Sequence, residues 1–498
     1  MLSIVRSFPM IGIWLCILCG LFCLILKARA ARLASLLVCA AQIVLSAILL
    51  SYTLNQGESF TYPMGHFPSP FGNELRAGPL EALIALCISV VMLLSLMGGT
   101  DDLELDIPEN KRSNYYIMTG FLLAALLVII YTNDLFTSYV FIEIITIGAC
   151  SIIAAKPGGK TLVASMWYLI MSLVGAGLLL FSISMLYGVT GHLLMPGLAE
   201  SVARLAANRQ YILPLFVLTG LMCVGLGLKC ALFPFHSWLP GAHSSATTAS
   251  SSILSGLVVK GYIFLMIKMF VRVYDVHVME LLHITDILLI LGVLGLLVGS
   301  IQATRQNDIK GMLAYSSVAQ IGYIFIGIGL NTPEGFAAAC FQIIAHAVGK
   351  AMLFAAAGGL AASSGHKKDW NSLRGAARRD VIAGVAFVCG SLSMVGIPLF
   401  PGFVAKIYLA SASSNTPFIG IALVAVLVIG TLLNAIYYLP AVLCIYAKPT
   451  ESDDFLVEKK SLAGRAALLA FAAVFMGLGL FSQPVMKTIE VGLALFGM

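Results

Sequence analysis

The sequence is short of charge. Only 10% of its 498 residues are Asp, Glu, Lys or Arg, against about a quarter in ordinary soluble domains. No stretch is polar enough to make a soluble domain, and that excludes a globular water-soluble protein. A paired cysteine framework is also lacking. The 11 cysteines suggest no secreted disulfide fold. Cys16, Cys19 and Cys23 share one face of the first apolar segment, but a cluster needs a fourth soft donor and a polar approach, so they read as packing residues. There is no dinucleotide fingerprint, so any redox chemistry belongs to partners. No small-residue cleavage site follows the apolar run behind "MLSIVRSFPMIGIW", which therefore reads as a first span rather than a signal peptide. The net charge of +6 follows from membrane topology and points to no nucleic acid.

What fills the chain is apolar. Hydrophobic residues make up 60% of it, and the mean hydropathy is +0.98. A bilayer span needs about 20 such residues, and that ruler yields roughly fourteen spans. The fold class read from this is an all-α polytopic membrane protein. Lysine and arginine set its orientation. The loops after odd-numbered spans collect Lys27, Arg29, Arg32, Lys156, Lys160, Arg305, Lys310, Lys367, Lys368, Arg374, Arg378 and Arg379. That bias places those loops in the cytoplasm and both termini outside.

Several charges fit no loop. Lys229, Lys260, Lys350 and Lys406 lie within apolar segments, as do Glu143 and His346. A lysine at the bilayer centre costs roughly 3 kcal/mol on insertion scales. Lys268 and Arg272, nearer a span's end, are expected to snorkel to the headgroups. Lys229, Lys260 and Lys406 sit too near mid-segment and should face a wet protein interior. Desolvation pushes a lysine's pKa down while a nearby carboxylate pushes it back up; a site where the two nearly cancel can load and release a proton near neutral pH. Glu143 is the natural partner for Lys229. The reading is a horizontal row in the order Glu143, Lys229, Lys260, His346, Lys406, with His236, His243 and Lys350 secondary. Duller roles stand beside these: Lys229 and Glu143 as a structural pair, His236 capping a freed carbonyl, His243 lining an entrance, Lys350 at a helix interface. The glycines of "SLVGAGLLL" read as helix-packing residues.

Prolines interrupt two lysine-bearing segments, Pro234 in the seventh span and Pro398 and Pro401 in the twelfth. Broken helices in corresponding positions of two halves point to an ion site in inverted-repeat transporters. Lys229 precedes Pro234 by five residues and Lys406 follows Pro401 by five. The mirrored spacing suggests two inverted five-helix repeats. The expected organisation is residues 1–114 (helices 1–3), 115–272 (helices 4–8), 273–446 (helices 9–13) and 447–498 (helix 14 and a short tail). Carbonyls freed at the breaks, with water, would hydrate the lysines.

From about residue 65 to 445 the chain also resembles the antiporter-like subunits shared by respiratory complex I, the Mrp cation/proton antiporters (closest to their D subunit) and the group 4 membrane-bound hydrogenases. The stretches that carry the resemblance are "NDLFTSYVFIEI", "SMLYGVTGHL", "LKCALFPFHSWLPGAHS", "LSGLVVKGYIF", "RQNDIKGMLAYSSVAQIGY", "AHAVGKAMLFAAAGGL" and "GIPLFPGFVAKIYL". It implies a fourteen-helix fold with inverted repeats, broken helices 7 and 12, and proton transfer along a lysine–glutamate axis. It maps the axis onto Glu143, Lys229, Lys260, His346 and Lys406.

Two features depart from the family. After "GAH" the family has prolines, whereas this chain has "SSATTASSSILSG" and Gly241 in place of an acid, which leaves the proton input beside His243 open. The chain also lacks the long lateral helix of the largest complex I member, and "QPVMKTIEVGLALFGM" reads as a short amphipathic tail. The function expected is a proton-translocating subunit of a redox-driven complex, a membrane-bound hydrogenase or complex I-like oxidoreductase, in the inner membrane of a prokaryote. The chain itself would hold no cofactor or metal. Iron–sulfur clusters, and a nickel–iron centre in the hydrogenase case, would sit in a cytoplasmic arm. Two alternatives stand: the D-type subunit of a gradient-driven Mrp antiporter, and a non-transporting scaffold. Sodium is left open as a second cation.

Overall fold

A computed structural model describes residues 2–67, 72–208, 211–414, 419–448 and 460–498. Residues 68–71 of the polar stretch 55–79, and most of the connection 447–461, lie outside that set. Fourteen principal helices run through the described residues: α1 (Phe8–Phe22), α2 (Ala28–Gln56), α3 (Pro79–Gly98), α4 (Glu109–Tyr131), α5 (Leu135–Ala154), α6 (Gly159–Thr190), α7 (Ile212–Cys230), α8 (Thr248–Leu281), α9 (Ile284–Thr304), α10 (Ile309–Gly329), α11 (Pro333–Ala362), α12 (Val381–Val395), α13 (Gly420–Tyr446) and α14 (Leu462–Leu480). Twelve are long and apolar enough to cross a membrane, α7 counted with its continuation to Ser245. The other two, α1 and α12, are apolar but only 15 residues each. An antiparallel hairpin of β1 (Phe60–Pro63) and β2 (Glu74–Ala77) joins α2 to α3, with Phe60 opposite Ala77. The hydropathy pattern gave no sign of it, because strands of four residues leave no periodic signal.

The helix starts follow from local chemistry. Asp134, Asp308, Thr332, Asp380 and Ser461 each accept a hydrogen bond from the backbone N–H three residues on. Such caps satisfy amides that a helix's first turn leaves free. Between helices, small residues permit close approach. A Cβ on Gly175 of α6 would fall 2.7 Å from the Gly225 carbonyl of α7 and 3.5 Å from Lys229 Cγ. Of the two glycines in "SLVGAGLLL", Gly175 has the expected packing role and Gly177, which is exposed with nothing within 4 Å of a Cβ, does not.

Burial runs against hydropathy. Helices α8 and α11 are buried throughout their apolar windows and α10 nearly so, yet they are among the less apolar, whereas the more apolar α2 and α13 lie mostly on the periphery. The cause is that lipid-facing helices must be apolar, while polar and charged residues are held in the protein interior. The centre of the bundle is therefore where the chemistry sits.

Two expectations need correction. Lys268 does not snorkel: it is fully buried, and its ammonium donates to the carbonyls of Ile130 and Thr132, where α4 ends. Arg272 turns inward too, onto the Asn133 side-chain oxygen. The tail is a helix (Ser482–Ala494) with Met486, Ile489 and Leu493 buried, packed on α3 and α11. Phe496 beyond it lies 4.9 Å from the Arg76 guanidinium and 5.8 Å from that of Arg272.

Arg76 anchors this end of the molecule. It pairs with the fully buried Glu81 in the first turn of α3 and donates to Ser59 Oγ at 2.9 Å and the Leu495 carbonyl at 2.6 Å. Breaking a buried pair by removing one partner costs about 3–5 kcal/mol, because the other charge stays buried. Arg76→Met should therefore lower the unfolding temperature in detergent markedly, with Arg76→Met/Glu81→Gln recovering part of the loss. A calorimetric scan of the three proteins checks this.

Candidate functional site

Helices α5 and α7 bring Glu143 and Lys229 together. Lys229 is the penultimate residue of α7 and is fully buried. Its Nζ donates to Glu143 Oε1 at 3.0 Å and to Thr146 Oγ1 at 2.8 Å. Glu143 and Thr146 are three residues apart on α5, hence on one face. The Tyr262 ring of α8 lies 5.8 Å from the ammonium. Glu143 is 23% exposed whereas Lys229 is sealed.

Helix α7 ends just past this lysine. Ala231 takes a left-handed conformation (φ 56°), and the chain passes Pro234 before a second helix (Trp238–Ser245) resumes. The carbonyls at the break are taken up by the protein: that of Leu228 accepts Trp238 Nε1 at 2.9 Å, and that of Gly227 accepts the Leu232 amide at 3.0 Å. Freed carbonyls therefore do not serve Lys229, contrary to expectation; Glu143 and Thr146 do. At the second break they do serve the lysine. Helix α12 stops at Gly396 (φ 96°), and a further helix (Pro401–Ser414) follows. Lys406 Nζ donates to the carbonyls of Met394 at 2.8 Å and Val395 at 2.9 Å.

Between the two breaks lie the residues of α8 and α11. Lys260 is 2% exposed and has no carboxylate partner; its ammonium bonds the Ser255 carbonyl on its own helix. That carbonyl is reached because α8 contains a π-helical turn, Leu254–Val258. His346 is fully buried, with both ring nitrogens lacking a hydrogen-bond partner, and it is within electrostatic range of Lys260 and Lys350. Lys350, one turn on, donates to the Leu313 carbonyl and Ser316 Oγ at 2.8 Å each and to Tyr438 Oη at 3.1 Å. His243 is buried against the Phe354 ring at 4.7 Å, with both nitrogens unpartnered. His236 stands apart, half-buried and stacked on Phe233.

The expected row thus has a direct contact at its Glu143–Lys229 end and a cluster of Lys260, His346 and Lys350 in the middle. Lys406 is joined to that cluster by residues that sequence reading missed. Tyr438 bonds Lys350, and its ring packs 4.8 Å from that of Tyr437. Tyr437 donates to Asn434, whose amide donates at 3.1 Å to the same Met394 carbonyl that Lys406 uses. Gln342 donates to Gln320 at 2.7 Å one turn before His346. Uncharged tyrosines, glutamines and asparagines stand out little in an apolar run; the one available signal was "NAIYY" on a single turn of α13. A second miss is Lys310, read as a loop charge: it is buried and donates to the Ala246 carbonyl at 3.1 Å. Among the described residues, no group of three or more His, Cys, Asp or Glu is placed to hold a metal.

This is a helical membrane protein with a row of buried ionisable side chains across its centre and a helix break at each end of the row. Residues 132–433 match the NADH:quinone oxidoreductase/Mrp antiporter transmembrane family. NADH-quinone oxidoreductase subunit N of Desulforudis audaxviator is 34% identical over 406 residues, 81% of this chain and 78% of that one. The antiporter subunit mnhD2 of Staphylococcus epidermidis is 27% identical over 470 residues, 93% of this chain and 90% of that one. The fold is similar to a chain of the archaeal membrane-bound sulfane sulfur reductase (TM-score 0.87, 24% identical, 99% and 97% of the two chains). It is similar also to one of the Mrp complex from Dietzia sp. DQ12-45-1b (0.88, 21%, 99% and 97%). The chain belongs to the NADH:quinone oxidoreductase/Mrp antiporter transmembrane family. It is an antiporter-like membrane subunit.

The Asn434 link is open to test. Asn434→Leu removes the donor to Met394 and leaves the buried Tyr437 hydroxyl without its acceptor. An orphaned buried polar group costs about 1–3 kcal/mol, so the unfolding temperature should drop, while Asn434→Asp should retain the acceptor and fall less. Thermal unfolding in detergent checks both.

Proposed function

We propose that this chain moves protons through the row Glu143, Lys229, Lys260, His346, Lys406 as one module of a larger, redox-driven membrane complex, with Lys350 and His243 bordering the row. The observation that carries the reading is the Lys229–Glu143 contact at 3.0 Å. Its partners sit on different helices and one of them adjoins a break, so a small shift there parts the charges. Parting them disfavours the lysine's charged form, and the proton is then passed towards Lys260. In this reading α1 and α12 also cross the membrane, giving fourteen spans, and residues 115–272 and 273–446 are inverted repeats. The two breaks support it, each carrying a lysine within five residues of a proline.

The redox-driven version draws on the relatedness to subunit N of an NADH-quinone oxidoreductase, at 34% identity. Electron-carrying clusters would then sit in partner subunits, in an arm of complex I, sulfane sulfur reductase or hydrogenase type. The second reading is a D-type subunit of a gradient-driven cation/proton antiporter. It is favoured by the longer match to the staphylococcal antiporter subunit, 470 residues. Sodium as a second cation is compatible with both versions. Both place the chain in a prokaryotic inner membrane with the 367–379 loop in the cytoplasm and both termini outside.

Lys229→Ala and Glu143→Gln should each cut proton transport by the intact complex about tenfold or more, since either leaves the remaining charge without its partner. Transport at the wild-type rate in both would leave the scaffold alternative. Gentle purification from native membranes, with mass spectrometry and electron paramagnetic resonance, separates the two versions. Iron–sulfur signals and a quinone-reductase or hydrogenase-like partner are expected; a silent spectrum with only small membrane subunits would assign the chain to an antiporter.

A further inference from the structure

The stretch that departs from the family, "SSATTASSSILSG", closes the helix Trp238–Ser245 with its first two serines and from Thr247 on forms the start of α8 as a buried run of hydroxyls. Thr247 caps it by accepting from the Ser250 amide at 3.2 Å, the role a serine or threonine fills where proline would otherwise fix the turn. Along the face turned to α11 stand Thr248, Ser252 and Ser255, at 4%, 0% and 1% exposure. Ser252 Oγ donates to the Thr248 carbonyl and the Ala351 carbonyl of α11, each at 3.1 Å, and Ser255 Oγ meets Ser317 Oγ of α10 at 3.0 Å. The π-helical turn then adds a residue to the register. Lys260 consequently falls on the same face, its ammonium on the Ser255 carbonyl.

At the other end of this face is a carboxylate with no role so far. Asp102, in a short helix (Thr100–Asp106) between α3 and α4, is 9% exposed, and among the described residues its Oδ2 accepts no hydrogen bond. Lys460 Nζ stands 3.6 Å off, engaged with the Gly98 carbonyl. Gly358 of α11 lets the neighbouring side chains approach its backbone closely here. A Cβ on it would fall 2.7 Å from Thr248 Oγ1 and 2.8 Å from Asp102 Oδ2. Asp102 Oδ2 and the first hydroxyl of the ladder therefore close on the same glycine from two sides. The neighbouring Asp101, Glu104 and Asp106 are partly or fully exposed, so Asp102 lies just beneath the surface, on the face that carries the basic 367–379 loop. The charges around it are Lys460, Lys310, Lys156 and Asp106 (Lys156 and Asp106 paired at 2.6 Å), with Lys368 beyond, bonded at 3.3 Å to the Ser244 carbonyl.

We infer that Asp102 and the ladder Thr248–Ser252–Ser255 form a proton-uptake branch that delivers to Lys260, an inference resting on the proton-transport reading above. Asp102 takes a proton from solution and carries it inward on its buried Oδ2. It gives that proton to the hydroxyl at Thr248, each hydroxyl and the water it orders accepts one proton as it releases another, and an unprotonated Lys260 amine receives the last. No electrons move. The path from Thr248 to Lys260 spans about 18 Å at 1.5 Å per residue.

Proton uptake by the intact complex in proteoliposomes, followed with a pH-sensitive dye, tests the branch. Variants Asp102→Asn, Thr248→Val (isosteric) and Glu143→Gln are compared after native electrophoresis shows that each assembles. Asp102→Asn and Thr248→Val should each slow uptake by about tenfold or more, as expected for a lost proton donor. Azide, a small weak acid, should restore Asp102→Asn but not Glu143→Gln. If Asp102→Asn runs at the wild-type rate while Glu143→Gln is dead, the branch is overturned and the axis stands. If Glu143→Gln runs at the wild-type rate, the axis falls and the branch with it. An assembled Asp102→Asn that is slow and unmoved by azide, with Thr248→Val at the wild-type rate, assigns Asp102 to holding Lys460 and overturns the branch.

Discussion

An ammonium group taken wholly out of water must be met by something, and in this protein Lys229 is met by Glu143 and Thr146. Much else can be read as provision for such groups. The least apolar helices are drawn to the centre, and each buried lysine receives its own set of acceptors. Lys406 has two carbonyls that a helix break exposes, Lys350 a carbonyl and two hydroxyls, Lys260 a carbonyl at a π-turn. Of these four lysines, only Lys229 bonds a carboxylate. Neutral acceptors tolerate both protonation states of an amine, whereas a carboxylate strongly favours the charged one.

The helix breaks play different parts at the two ends. At α12 the interruption supplies ligands, because Gly396 frees the Met394 and Val395 carbonyls for Lys406. At α7 the freed carbonyls are absorbed by Trp238 and the backbone, and the break instead leaves Lys229 at the tip of a helix segment. A tip is easier to displace than a mid-helix residue, since the hinge needs only the few dihedrals around Ala231. Displacement there would change the Lys229–Glu143 distance without unfolding either helix.

Much of this was legible in the sequence because charge in an apolar run is conspicuous. Lys229, Lys260, His346, Lys350 and Lys406 announced themselves by type alone, and the breaks by their prolines. What stayed hidden was neutral or near a segment's end. Tyr437, Tyr438 and Asn434 carry the link to Lys406, yet a tyrosine in a membrane helix is ordinary. Lys268 and Lys310 looked like headgroup and loop residues because sequence distance to a span's end says nothing about which carbonyls lie within reach. Asp102 was one of four acids in a short polar stretch, and only tertiary packing against Gly358 and Thr248 sets it apart. The β1–β2 hairpin is too short to mark itself.

Infrared difference spectroscopy during turnover addresses the central claim most directly, because it reports the protonation and surroundings of a single carboxyl. The account predicts a carboxyl or carboxylate band that changes as the complex turns over, is lost in Glu143→Gln and shifts in Lys229→Ala. A turnover spectrum with no component dependent on Glu143, in a complex that still transports protons, would contradict it.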